Sequence, residues 1–241
     1  MDTKDTTVVQ KIAKKEDEDE ESVAINPRSI KGANDETTLI YLKASIKTMN
    51  KSFGLCEPMG DHRSKTLKAM FHSIFLERQN MRFCWPRGRK LEEETKQQGQ
   101  DYKYDYGKST TIQLFLYMWI KCGITDKSIR VEFTNPTIAN SVMEDLMKKA
   151  SKDPDCHLRI LKCDSQVIYF STAEDVEKHN KRELLVGGKY GRIYIGHAVK
   201  GGSVGVDTDI VICEETGFEN FDKNAKTGPI KFLFHSTPMY W

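Results

Sequence analysis

Apolar positions along the chain form rows that change period from one segment to the next. In residues 63–90, Leu67, Met70, Phe71, Ile74 and Phe75 recur at the offsets that line one face of a helix, and Met81 prolongs the row. This predicts a central helix, turned in by Pro58, Gly60 and Asp61, capped by Asp61 or Ser64 and closed at Cys84-Trp85-Pro86, because proline cannot continue a helix. Residues 37–49 (TTLIYLKASIKTM) alternate instead. Leu39, Tyr41, Lys43, Ser45 and Lys47 fall on one side and Ile40, Leu42, Ala44 and Ile46 on the other, which predicts a first strand with one wet, basic face.

Residues 108–122 (KSTTIQLFLYMWIKC) are the most apolar stretch and predict a helix buried on most sides, stopped by Gly123. A strand over 128–133 follows, then a helix capped by Asn135 with Pro136 in its first turn and Ile138, Val142, Leu146 and Met147 inward. Residues 157–162 and 166–170 predict a hairpin, and later strands are expected over 190–199, over the apolar run 210–213, and at Ile230, Phe232 and Phe234. The expected class is α+β: a single mixed domain over 37–241 with two N-terminal helices and a mostly antiparallel C-terminal sheet. A disordered charged arm is expected over 1–36, and a mobile loop over 86–107, where Leu91 is the only aliphatic residue.

Charge sharpens this picture. The chain of 241 residues carries a net charge of +2, but residues 43–91 hold eleven Lys and Arg against three acids, a local excess of eight. The arm has the opposite bias, with ten acids against six bases and the block EDEDEE at 16–21. No run of eighteen apolar residues and no secretory leader pattern occurs, so neither a membrane span nor secretion is expected. Six scattered cysteines without CxxC spacing fit reduced thiols, and Cys156, His157 and Cys163 match no common zinc finger.

Candidate chemistry is sparse. None of the six histidines stands in a HExxH or HxH spacing, and Asp207 and Asp209 lack a third carboxylate at a matching interval. Gly107-Lys108-Ser109-Thr110 looks like the end of a phosphate-binding loop. The full GxxxxGK spacing needs glycine at 102, where Tyr102 stands, and the pattern places no apolar strand before it, so ATP or GTP hydrolysis is rejected on these grounds. The expectation is a non-enzymatic protein without cofactor or metal. The basic zone then carries the functional reading: Lys43, Lys47, Arg63, Lys65, Lys68, Arg82, Arg87, Arg89 and Lys90 are expected to share one anion-binding surface.

The order of charged arm, strand, basic helix, second apolar helix, strands and aromatic C-terminal strand resembles the matrix proteins of rhabdoviruses, in the stretches TTLIYLKASIKTM, SKTLKAMFHSIFLE, STTIQLFLYMWIKCG and GPIKFLFHSTPMYW. That resemblance implies a viral structural protein that binds an anionic membrane surface and the nucleoprotein–RNA complex, self-associates during virion assembly, and resides in the virion and in host cytoplasm or nucleus. Residues 189–241 are also similar to the sheet core of 30K-type plant-virus movement proteins, whose characteristic aspartate would align with Glu214 or Glu215. This second resemblance implies instead a viral movement protein that binds nucleic acid and moves it between cells.

Overall fold

The computed structural model describes residues 34–52, 61–87, 107–153, 158–163, 166–188, 190–197, 208–215 and 228–238. The expected disordered arm lies outside them, except for its last three residues, which begin the first helix. Most of the loop expected to be mobile lies outside them too.

Helix α1 runs Asp35–Ser52 where a strand was predicted. The side chain of Asn34 accepts from the backbone of Thr37 at 2.9 Å and so caps the first turn. Leu39, Leu42, Ile46 and Met49 are buried, which is a helical row. The alternation in this segment was a coincidence of two periods, and burial of the helical set decides between them. Helix α2 is Asp61–His72, followed by a π-helical turn at Ser73–Glu77. Leu67, Met70, Phe71, Ile74 and Phe75 are all buried, as the row predicted. The helix does not reach Pro86, because Arg78 adopts a left-handed conformation and turns the chain. Strand β1, Met81–Arg87, comes next. It lies at one edge of the sheet, where a proline costs no shared ladder bond.

Helix α3, Lys108–Lys121, is buried along nearly its whole length and ends at Gly123 in positive φ, as predicted. Strand β2, Ile129–Phe133, and helix α4, Pro136–Lys152, follow, with Asn135 Oδ1 accepting from the Thr137 N–H at 2.8 Å. Strands β3, Leu158–Cys163, and β4, Val167–Thr172, form the antiparallel pair expected. Two short helices, α5 Ala173–Lys178 and α6 Lys181–Val186, lead to β5 Gly191–His197, β6 Ile210–Glu214 and β7 Ile230–Pro238.

The seven strands form one mixed sheet in the order β1-β7-β6-β2-β5-β4-β3. The α+β class is therefore the one expected, but the ladder directions differ. The pairs β1–β7, β7–β6, β6–β2 and β2–β5 are parallel, and only β5–β4 and β4–β3 are antiparallel. Parallel neighbours require long crossovers, and α4 lies in the connection that leads from β2 to its parallel neighbour β5. Two late strands, β7 and β6, sit between β1 and β2, so the chain after β1 must cross over both before pairing again.

One face of the sheet carries Phe83, Trp85, Phe232, Phe234, Ile210, Ile212, Ile129, Val131, Ile193 and Ile195 and belongs to the main apolar core with the α1–α4 side chains. Phe71 stacks on Phe115 at 5.2 Å between ring centres, fastening α2 to α3. Along the other face, Arg82, Leu233, Cys213 and Glu132 lie in one row across β1, β7, β6 and β2. Burial first, and then the Glu132 carboxylate, push the Cys213 thiol up to about 12 from an ordinary 9.0, against the pull of Arg130 and Lys231. A thiol held neutral in the fold ionises more easily once unfolded, so its contribution to stability is complete below about pH 9 and is lost as pH rises toward 12. Denaturant titrations of wild type and Cys213→Ala over pH 8–11 should show a steeper loss for wild type. Parallel curves would mean the thiol is not held neutral.

Candidate phosphate-binding site at the ends of the parallel strands

In open sheets of this kind, ligands bind beyond the carboxyl ends of the parallel strands, where the direction of connection changes. Here that edge brings together the start of α3 and the last residues of β6. Gly107 precedes α3 with φ 66° and ψ 35°, a conformation that favours glycine, and its carbonyl accepts from both the backbone N–H and the hydroxyl of Thr111. Helix α3 begins here, and the start of a helix is the positive end of its dipole.

Two carboxylates meet this helix start. Ser109 Oγ donates to Glu214 Oε1 at 2.5 Å, and the Lys108 ammonium lies 3.8 Å from the same oxygen. Lys108 also pairs with Glu215 Oε1. Glu214 is only 3 % exposed, so its carboxylate gives up most of its hydration and depends on these two partners. Glu215 has φ 65°, an uncommon conformation for a residue with a side chain, and its N–H donates to the Phe234 carbonyl of β7 at 2.7 Å. The β6–β7 edge thus holds Glu215 turned toward Lys108. Ammonium, hydroxyl and two carboxylates meet at the start of α3 and the end of β6.

No protein-family model and no curated protein matches the chain. The solved structures include a similar one. The crystal structure of the HK97 bacteriophage large terminase matches 80 % of this chain and 37 % of its own length, at 11 % identity and a TM-score of 0.47. The chain therefore spans little more than a third of that protein, and a likeness at this level carries no argument about chemistry.

The residues of the basic zone have separate fates. Lys43 is half-buried on α1 with Nζ 3.2 Å from His72 Nδ1, and the other ring nitrogen of His72 lies 2.9 Å from Glu77. Arg63 is half-buried against Gly107. Lys65 and Lys68 are exposed on α2, and Arg82 is exposed on β1. Lys47 and Arg87 belong to α1 and β1 with side chains outside the described set, as are Arg89 and Lys90 entirely. Asp209, weighed as a metal ligand, binds the Ser128 N–H at 2.7 Å and its hydroxyl at 3.0 Å, tying the starts of β6 and β2. Among the described residues no cluster of three or more His, Cys, Asp or Glu could hold a metal, and no helix is long and apolar enough to cross a membrane.

Sequence reasoning met Glu214 and Glu215 only as the position that would align with the movement-protein aspartate. The available signal was an apolar run, Ile210 to Cys213, closed by two acids. It also set aside Gly107-Lys108-Ser109 partly because no strand was thought to precede it. Strand β1 precedes it in the chain but ends at Arg87, well upstream of the loop, and Tyr102 departs from the glycine spacing.

Proposed function

We propose that the start of α3 and the end of β6 form a nucleoside triphosphate site that cleaves the terminal phosphate, in the manner of a P-loop enzyme. The observation that carries this reading is the Ser109–Glu214 hydrogen bond with Lys108 between Glu214 and Glu215. A lysine and a hydroxyl at a helix start, opposite an acid at a strand end, is the arrangement that holds triphosphate and Mg²⁺ in such enzymes.

The residues fit the ion. Mg²⁺ prefers hard oxygen ligands and is bound by one or two carboxylates plus substrate phosphates rather than by a full protein cage. The Ser109 hydroxyl and the Glu214 carboxylate would hold it. Bound there, it would neutralise charge building on the phosphate oxygens. Lys108 and the α3 amides bind the phosphates themselves. Glu215 takes the proton of the attacking water while the new O–P bond forms, and the bond to the diphosphate breaks with its electron pair leaving on the diphosphate.

Glu215→Gln separates binding from turnover. The amide cannot accept the proton and no longer draws Lys108 away, so Mg·ATP or Mg·GTP should bind at least as tightly by calorimetry while phosphate release falls about 100-fold or more. Unchanged turnover in this variant, or no triphosphate binding by the wild-type chain with Mg²⁺, would overturn the reading.

The exposure of Lys65, Lys68 and Arg82 favours a second proposal, the matrix-type or RNA-binding role implied by the basic zone, with its membrane, nucleocapsid and self-association partners. Reversing these three charges would then abolish flotation with anionic liposomes or retardation of single-stranded RNA. Unchanged binding would exclude them.

A further inference from the structure

We infer that the face of the sheet turned away from the α1–α4 core is, over β3, β4 and β5, a binding surface for single-stranded nucleic acid. Tyr194, Tyr169 and Tyr190 supply rings on which bases stack, and Arg192 and Arg159 supply cations for the phosphates. This surface is used by neither reading above, and the inference stands independently of both.

Strand alternation puts these residues on one side. Ile160, Ile168, Phe170, Ile193 and Ile195 pack in or against the core, so Arg159, Tyr169, Arg192 and Tyr194, next to them in the strands, point the other way. The register sets Tyr169 directly opposite Arg192, and Arg159 opposite Ser171, two residues along β4 from Tyr169. Tyr190, just before β5, meets the Tyr169 ring edge-on at 5.5 Å between ring centres. Arg159 is exposed, and Arg192 and the three tyrosines are half-buried, so every one of these side chains reaches solvent.

The Tyr194 ring is held along its own strand as a platform. A methyl group on Gly196 would stand 2.7 Å from Tyr194 Cε1 and 2.9 Å from its hydroxyl oxygen, so the missing side chain at 196 is what lets the ring lie there. The hydroxyl donates to Gln166 Oε1 at 2.6 Å, and the Arg130 guanidinium sits 5.2 Å from the ring centre. A glycine inside a strand weakens it, and here the weakening makes room for a ring that the fold then fixes in place.

Charge and ring chemistry together select the occupant. The segments LRILKC, VIYFST and GRIYIGH that form β3, β4 and β5 contain no Asp or Glu. Glu132 on the neighbouring β2 is held by Arg130 at 2.5 Å. A polyanion is therefore favoured on this face. Arginine carries five donors, so one that is engaged within the protein can still give others to a phosphate. Tyrosines beside cations on a sheet face suit unpaired bases, whose π faces a duplex keeps stacked inside. A lipid headgroup or an acidic protein segment would engage the arginines and leave the rings without a role.

The test uses the full chain with labelled oligo(U) and oligo(dT), beside a duplex of the same length, by fluorescence anisotropy at several salt concentrations. Wild type should bind the single strands about 10-fold or more tightly than the duplex. Tyr169→Leu and Tyr194→Leu should each weaken the single strands about 5- to 100-fold, while heparin, which has no bases, stays bound as by wild type. Tyr194→Phe keeps the ring and should bind as wild type. Arg159→Gln combined with Arg192→Gln should lower the slope of log affinity against log salt by about 1.4, the share of two single-strand phosphate contacts. Melting curves check that each variant is folded, and the arginine pair keeps the test decisive if a leucine variant does not fold. No single-strand binding by wild type, equal affinity for the duplex, or folded leucine variants that bind as wild type would overturn the inference. An unchanged salt slope in the arginine pair would overturn it too, as would binding that is lost only when Lys65, Lys68 and Arg82 are reversed.

Discussion

Lys108→Ala should remove triphosphate binding and, with it, turnover. The ammonium touches both Glu214 and Glu215, at the helix start where phosphate oxygens would sit. In a water-excluded site, a single donor aimed at developing charge changes rate by about 100- to 1,000-fold. Lys108 would also supply ground-state affinity, so kcat/KM should fall by about 1,000-fold or more, equivalent to roughly 4 kcal/mol of transition-state stabilisation. The loss has a structural counterpart. Without the ammonium, Glu214 and Glu215 repel each other at the strand end, and Glu214 is buried with only the Ser109 hydroxyl remaining of the two partners described. Melting should therefore drop as well, and Mg²⁺ should restore part of it by taking the place of the cation. Phosphate release and calorimetric titration with and without Mg²⁺ check both halves. Hydrolysis at wild-type rate would refute the assignment.

Asp153→Ala should be the most destabilising single truncation among the buried ion pairs. Lys121 in the last turn of α3 is 5 % exposed, and its ammonium lies 2.6 Å from Asp153 Oδ2. The Tyr117 hydroxyl donates to the same oxygen, and the ammonium sits 5.8 Å from the centre of the Tyr117 ring. Asp153 is the residue that ends α4, its N–H donating to the Lys149 carbonyl, so this carboxylate fastens the ends of two core helices. Its loss strands a buried ammonium and removes an acceptor of the Tyr117 hydroxyl. Removing one partner of a buried pair costs about 3–5 kcal/mol, against total stabilities of about 5–15 kcal/mol. The urea midpoint should fall accordingly with an unchanged slope. Asp153→Asn keeps an acceptor oxygen and should lose less. A shift worth less than about 1 kcal/mol for the alanine variant would show that the ammonium reaches water.

Both sites draw on residues far apart in the chain, and this separates what was legible from what was not. The ends of α3 and the cap of α4 could be read locally, because Gly123, Asn135 and Pro136 act on the backbone within one turn. The buried row of α2 was equally legible, since its spacing depends only on helix geometry. Residues 37–49 were misread because a short mixed segment satisfies both periods. Burial of Leu39, Leu42, Ile46 and Met49 against the other helices chooses the helix. Strand β1 was misread because β7, its partner among the described residues, begins about 150 residues later, and no local signal distinguishes an edge strand containing proline from the end of a helix.

The candidate site divides in the same way. Lys108 and Ser109 were visible as a fragment of a motif, and Glu214 and Glu215 as the acids that close an apolar run. That the two fragments meet follows from the order β1-β7-β6-β2, which seats β6 where the start of α3 faces its end. The amino-acid sequence alone determined where α3 ends and α4 begins and which side chains could serve as phosphate ligands, because capping and side-chain chemistry act over a few residues. Strand direction, strand order and the meeting of Lys108 with Glu214 and Glu215 were decided by the tertiary structure, because parallel pairing and convergence at a sheet edge depend on contacts more than a hundred residues apart.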